Sequence, residues 1–151
     1  MKEEFDYSKT YFKVTNKEEN HNGMQYKTGV NIDILPFDNK PNNSCCKGGM
    51  YFTDEKNLLS FFSYGINIRP LKLKKGTPVI LDKQGDKFRT CQFTMKKKIS
   101  FFDFLNKYFP KECGSLYLQN LTVLPENTVF PKECGFLDLQ NDLKIKLNLK
   151  Y

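Results

Sequence analysis

Residues 109–120 read Phe-Pro-Lys-Glu-Cys-Gly-Ser-Leu-Tyr-Leu-Gln-Asn, and residues 130–141 read Phe-Pro-Lys-Glu-Cys-Gly-Phe-Leu-Asp-Leu-Gln-Asn. Ten of the twelve positions are identical, at an offset of 21 residues. A fixed period near 20 marks stacked repeats, in which each unit buries its apolar edge against the next. The repeat divides the chain into a first module, residues 1–108, and a repeat segment, residues 109–151. Two repeats bury too little surface to stand alone. They are expected to pack on the first module as one continuous unit. Such a design leans toward surface recognition rather than chemistry.

Within the first module, Tyr11–Thr15 reads as a strand, followed by a polar, turn-rich stretch from Asn16 to Gly23. Short strands are expected at Met24–Tyr26 and Val30–Ile32, flanking Gly29. Residues 36–49 are loop by composition. Met50–Phe52 reads as a buried strand. Thr53 then suits an N-cap, with Leu58, Leu59, Phe61 and Phe62 as one helical face and Gly65 as the stop. Ile66–Ile68 alternates as a strand that Pro70 places at a sheet edge. Val79–Leu81 and Phe88–Met95 follow as strands. Ser100-x-x-Asp103 resembles a capping box and opens a second helix with Phe101, Phe102, Leu105 and Tyr108 inward. The fold class expected is α+β: a small mixed sheet with two short helices, then a leucine-rich-like repeat stub. Leu143, Ile145, Leu147 and Leu149 alternate with polar residues and predict a closing strand.

The chain has 151 residues, enough for one ordinary core. Its net charge of +7 favours acidic partners. Lys72, Lys74, Lys75, Lys96, Lys97 and Lys98 could form a basic face for nonspecific nucleic-acid binding. Only Arg69 and Arg89 supply the forked guanidinium that phosphate and base readers favour, so a solvated lysine surface is the plainer reading. No apolar run approaches the ~20 residues of a membrane span. The acidic, polar start from Met1 to Asp6 does not resemble a signal peptide, which points to an intracellular protein.

Five cysteines at irregular spacing argue for reduced thiols. Cys113 and Cys134 share one repeat position and read as small buried fillers. Cys45, Cys46, Cys91 and the single His21 lack zinc-ligand spacing, so no metal is expected.

The one catalytic hint lies in residues 21–65. His21-Asn22-Gly23 precedes Gly48-Gly49-Met50-Tyr51-Phe52-Thr53, and a Ser63-Tyr64-Gly65 end closes the helix. This layout resembles the ADP-ribosyltransferases. The resemblance implies NAD as cofactor, with His21 on its ribose and Tyr51 stacked on nicotinamide. The acid that must steady the oxocarbenium charge has no strong candidate beyond Asp82 and Asp86. The catalytic candidates are therefore His21, Tyr51 and Asp86, and the balance leans away from an enzyme. Without that alternative no cofactor is expected.

The spacing Leu-x-Leu-x-x-Leu-x-x-Leu-Pro-x-Asn from Leu116 to Asn127 resembles short leucine-rich repeats carrying Leu-Pro. That implies Leu116, Leu118, Leu121 and Leu124 in the core and Tyr117, Gln119, Asp138 and Gln140 outward. Together with Phe12-Lys13-Val14-Thr15-Asn16, Asn20–Tyr26 and Gly48–Thr53, the repeat resembles uncharacterised Leu-Pro repeat proteins of giant DNA viruses. The resemblance implies a viral, non-enzymatic interaction protein in the host cytoplasm or the virion. Its expected protein-binding surface is the 36–49 loop, with Lys47, and the outward repeat residues.

Overall fold

A computed structural model describes residues 4–42, 46–65, 67–100, 103–104, 107–108, 116–118 and 137–139. Among the described residues there are eleven strands: β1 Tyr11–Thr15, β2 Asn20–His21, β3 Met24–Gln25, β4 Gly29–Ile32, β5 Met50–Phe52, β6 Asn67–Lys72, β7 Val79–Leu81, β8 Phe88–Thr90, β9 Gln92–Met95, β10 Leu116–Leu118 and β11 Leu137–Leu139. A 3-10 helix, Leu58–Tyr64, lies between β5 and β6. The fold is therefore mostly β, and the expected α+β class with two helices is corrected.

The first helix fails because its N-cap has another task. Thr53 and Phe12 exchange backbone hydrogen bonds of 2.8 Å in both directions, and the Thr53 hydroxyl donates to Asp86 O at 2.6 Å. Thr53 is thus a sheet residue. The turn that follows starts at Asp54, whose carboxylate accepts from the Asn57 N–H at 3.0 Å. Gly65 does end the helix, with φ of 154°. A Cβ there would sit 2.2 Å from Thr15 O, so only glycine lets the chain pass β1. At the second expected helix, Ser100 Oγ caps the Asp103 N–H at 3.0 Å. Two α-type bonds follow, Phe104 N–H to Ser100 O and Tyr108 N–H to Phe104 O. Phe104 is fully buried against Phe12, with ring centroids 5.4 Å apart. Phe101, Phe102 and Leu105 lie outside the described residues.

Two antiparallel sheets build the core. One has the order β1-β6-β9-β4 and the other β5-β8-β7. Phe88 to Met95 is not one strand: β8 and β9 belong to different sheets, and Cys91 makes the passage between them. Between the sheets lie Tyr11, Tyr26, Met50, Phe52, Leu71, Leu73, Phe93 and Met95, with Phe5 and Phe88 against them. Phe5 stacks on Tyr11 at 4.7 Å, and Phe52 on Phe88 at 5.3 Å. Rings of this size each bury roughly 150–250 Å², so they dominate the burial term.

Pro70 sits in an inner strand, not at an edge. The register opposite it shows how the missing N–H is made good. Leu71 faces Met95, so Pro70 faces Lys96, whose N–H donates to Pro70 O at 2.8 Å. The return bond would need a proline N–H. Arg69 Nη1 supplies it instead, donating to Lys96 O at 3.0 Å. On the other side Pro70 faces Phe12, whose backbone groups are taken by Thr53.

β10 and β11 pair in parallel, with Leu116 opposite Leu137, Tyr117 opposite Asp138 and Leu118 opposite Leu139. The pairing offset equals the repeat offset. Equivalent positions of the two repeats lie side by side, and β10 runs against the 3-10 helix. The expected closing strand from Leu143 to Leu149 lies outside the described residues.

Candidate functional site

β1 and β5 meet at one bridge and then part. Continuing the Phe12–Thr53 register would bring Val14 opposite Tyr51. Antiparallel alternation turns the Val14 N–H and C=O to the same side as those of Phe12, toward β5. No Val14–Tyr51 bond forms. Instead the Lys13 ammonium donates to Tyr51 O at 2.7 Å and lies 4.6 Å above the Tyr26 ring. The strands are wedged apart, and a cleft opens between them.

One part of the cleft, about 120 Å³, is lined by Lys13, Val14, His21, Tyr51, Phe61 and Tyr64 among others. A neighbouring space of about 240 Å³ continues along Asn16, Asn20 and Tyr26, and a small one of about 20 Å³ reaches Lys47 and Asp33. All three share Lys13, His21 and Asn22. The space of about 240 Å³ exceeds the ~150 Å³ cavity that admits a benzene ring, and the space of about 120 Å³ falls just short of it.

His21 reaches the cleft on a hairpin. β2 and β3 are joined by Asn22 (φ 53°) and Gly23 (φ 81°), the two left-handed residues of a tight hairpin turn. The Asn-Gly pair is a strong hairpin signal and could have placed β2 and β3 from sequence. The hairpin is anchored at its base. Arg69 grips Glu19 with Nε to Oε2 at 2.7 Å and Nη2 to Oε1 at 2.6 Å, and Thr15 Oγ1 donates to the same carboxylate at 2.9 Å. The Arg69 hydrogen bond is the first cause holding the Glu19 pKa below its usual value. The His21 ring stacks on Tyr64 at 6.3 Å, and burial and then the Lys13 charge lower its pKa.

Lys13 is 6% exposed and has no carboxylate partner among the described residues. Desolvation pulls its pKa down from 10.5 to about 7. Sequence reading missed it, because a lysine at a period-2 strand position looks like any solvated lysine. Only the wedge between two distant segments buries it.

The site candidates fall in different places. His21 and Tyr51 share the cleft, and Lys47 lines its smallest part. Tyr51 is held by Arg89, whose Nη1 lies 3.4 Å from its hydroxyl, and that hydroxyl donates to Cys46 O at 3.3 Å. Arg89 also ties the 36–49 loop down through Lys40 O at 2.7 Å. Asp86 lies in the β7–β8 turn and is not among the lining residues. Asp82, in the same turn, accepts from the Gln84 N–H at 3.0 Å. The acid that does line the cleft is Asp33, at its small end. Tyr117 and Asp138 face each other in the β10–β11 pairing, and Gln119 and Gln140 lie outside the described residues. Among the described residues no cluster of His, Cys, Asp and Glu could hold a metal, and no helix is long and apolar enough to cross a membrane. The lysine runs do not merge. From the Leu71–Met95 pair, Lys74 and Lys75 run one way along the sheet and Lys96–Lys98 the other.

A second surface adjoins the small end of the cleft, where Leu35 belongs to the lining. β4 is the outer strand of its sheet, and its pattern is inverted: Val30 and Ile32 are 49% and 59% exposed while Asn31 is buried. Asn31 faces inward because its side chain closes a turn, accepting from the Lys27 N–H at 3.0 Å and donating to Lys27 O at 2.7 Å and Gly29 O at 3.0 Å. Ile34, 68% exposed, and Leu35 extend the apolar run.

The chain is similar to proteins of Acanthamoeba polyphaga mimivirus. It is 40% identical over 84 residues to one named as ankyrin repeat protein R868, covering 54% of this chain and 42% of that protein. It is 39% identical over 70 residues to the uncharacterised protein R869, covering 46% and 51%. It is 37% identical over 100 residues to one named as ankyrin repeat protein R229, covering 61% and 31%. The chain thus spans about half or less of the length of these relatives. No family model matches the chain, and no solved structure matches it.

Proposed function

We propose that the chain is a non-enzymatic protein-interaction module of viral type, working in the host cytoplasm or the virion. The outward apolar face of β4 carries this reading, since a strand that buries its Asn and exposes its Val and Ile is shaped for a partner. The chain's net charge of +7 favours an acidic partner. The relatives support the reading in one respect. A match of 84 residues is longer than the segment after Ser100, so the shared sequence takes in part of the β fold. Ankyrin repeats are helix pairs. What is shared therefore includes more than any ankyrin array, as expected of a module reused beside different repeats. The parallel β10–β11 register, and the lie of β10 against the 3-10 helix, support residues 109–151 as a leucine-rich-like extension of that module.

Photocrosslinking tests the proposal. A photoreactive residue in place of Ile34 should give a discrete protein adduct in an infected-amoeba extract, and one in place of Lys83, in the β7–β8 turn, should not. Adding Ile32→Lys should cut the adduct at least tenfold with the thermal midpoint unchanged. Equal labelling from both positions, or a yield indifferent to Ile32→Lys, refutes the β4 surface.

The transferase alternative finds His21 and Tyr51 in one cleft. The charge there is of the wrong sign: Lys13 beside His21 opposes an oxocarbenium ion, which needs a carboxylate.

A further inference from the structure

Among the described residues, Asp86 Oδ1 is buried without a hydrogen-bond partner in the β7–β8 turn, and the buried Lys13 ammonium in the cleft lacks the counter-charge its chemistry demands. A buried ammonium needs a counter-charge, and Lys13 is given a carbonyl and a ring face instead. Glu19, a buried carboxylate on the hairpin base, is already held by Arg69 and approached by Lys98 at 3.6 Å. Asp33 caps its own turn, accepting from the Leu35 N–H at 3.0 Å. The missing negative charge has an evident place. The Lys13 ammonium lines every part of the cleft, and the Val14 N–H points toward the same space. Around these two donors stand the rings of Tyr51, His21, Tyr64 and Phe61, with His21 and Phe61 each stacked on Tyr64. Lys87, with its Nζ 5.5 Å from the Tyr51 ring centroid, also lines the cleft.

We propose that the β1–β5 cleft binds a small ring-bearing anion, a carboxylate or a phosphate, with its charged group on Lys13 Nζ and the Val14 N–H and its ring between Tyr51 and the His21–Tyr64 wall. Binding is charge-assisted hydrogen bonding at one end and stacking at the other. It involves no bond making or breaking. It uses none of Val30, Ile32 and Ile34, so either proposal can fail without the other.

The test uses the full chain and three probes: benzoate, phenyl phosphate and the neutral benzyl alcohol. Titrations followed by amide chemical shifts should show saturable changes at Val14, His21, Asn22 and Tyr51 with one or both anions, and the pair tells carboxylate from phosphate. Benzyl alcohol should bind at least tenfold more weakly. Lys13→Met, which keeps the side-chain length and drops the charge, should lose at least tenfold in anion affinity with the amide spectrum otherwise native. A second readout avoids mutation: in chain labelled at the lysine side chains, saturating anion should raise the Lys13 titration midpoint. No saturable shift at millimolar anion, equal affinity for benzyl alcohol, or an unmoved Lys13 midpoint at saturation each overturns the proposal.

Discussion

The buried Lys13 ammonium makes a prediction about stability that needs no ligand. In the folded chain desolvation brings its pKa from 10.5 to about 7. The unfolded chain keeps Lys13 protonated up to its ordinary value. Between pH 7 and 10.5 the unfolded state therefore holds more protons, and stability rises with pH. Below pH 7 both states are protonated and the full penalty of the buried charge stands. At about 1.4 kcal/mol per pH unit that penalty is about 5 kcal/mol. Lys13→Met removes it. The variant should be more stable than the parent at pH 6, and its advantage should shrink by about 2 kcal/mol between pH 7 and 9. His21, the other base in the cleft, has its pKa lowered and titrates below this window. Urea denaturation of both proteins at pH 6, 7, 8 and 9 gives the difference directly. A difference that stays flat from pH 7 to 9 would refute the argument, since it would mean the Lys13 amine is hydrated in the native state.

Other outcomes follow from the same geometry. Glu19→Gln leaves Arg69 buried with half a partner and should cost about 3 kcal/mol in urea denaturation, loosening the β2–β3 hairpin. Because the Glu19 pKa is lowered in the fold, the parent should lose this contribution as pH falls through the native value, while Glu19→Gln should not. Gly65→Ala drives a methyl to 2.2 Å from Thr15 O and should destabilise by about 1–3 kcal/mol in thermal melts. Isothermal calorimetry with NAD should show no cleavage heat, because Lys13 stands beside His21 where the reaction needs an acid, and Asp33, at the small end, already accepts from the Leu35 N–H. DNA binding should be weak even at low salt, since the two lysine runs diverge and present no continuous phosphate track.

Short-range patterns were legible in the chain itself. Tyr11–Thr15, Met50–Phe52 and Val79–Leu81 read as strands and are strands with those bounds. Gly65 reads as a stop and is one. β10 and β11 pair at the same 21-residue offset as the sequence repeat, because identical units stack in identical register. These features depend on neighbours a few residues away, or on a repeat that carries its own register.

What the sequence could not tell depended on hydrogen bonds between distant segments. Thr53 looks like a helix cap until Phe12 takes its backbone. Pro70 looks like an edge residue until the Arg69 guanidinium stands in for its missing N–H against Lys96. His21 and Tyr51 lie 30 residues apart, and only the hairpin and the β1–β5 wedge bring them to one cleft. Lys13 is one lysine among 22, and nothing local separates it from the rest. Residue types and their spacing determined where strands and turns could form. The tertiary structure decided which polar group satisfied which, because that choice depends on the two strands that happen to flank each backbone.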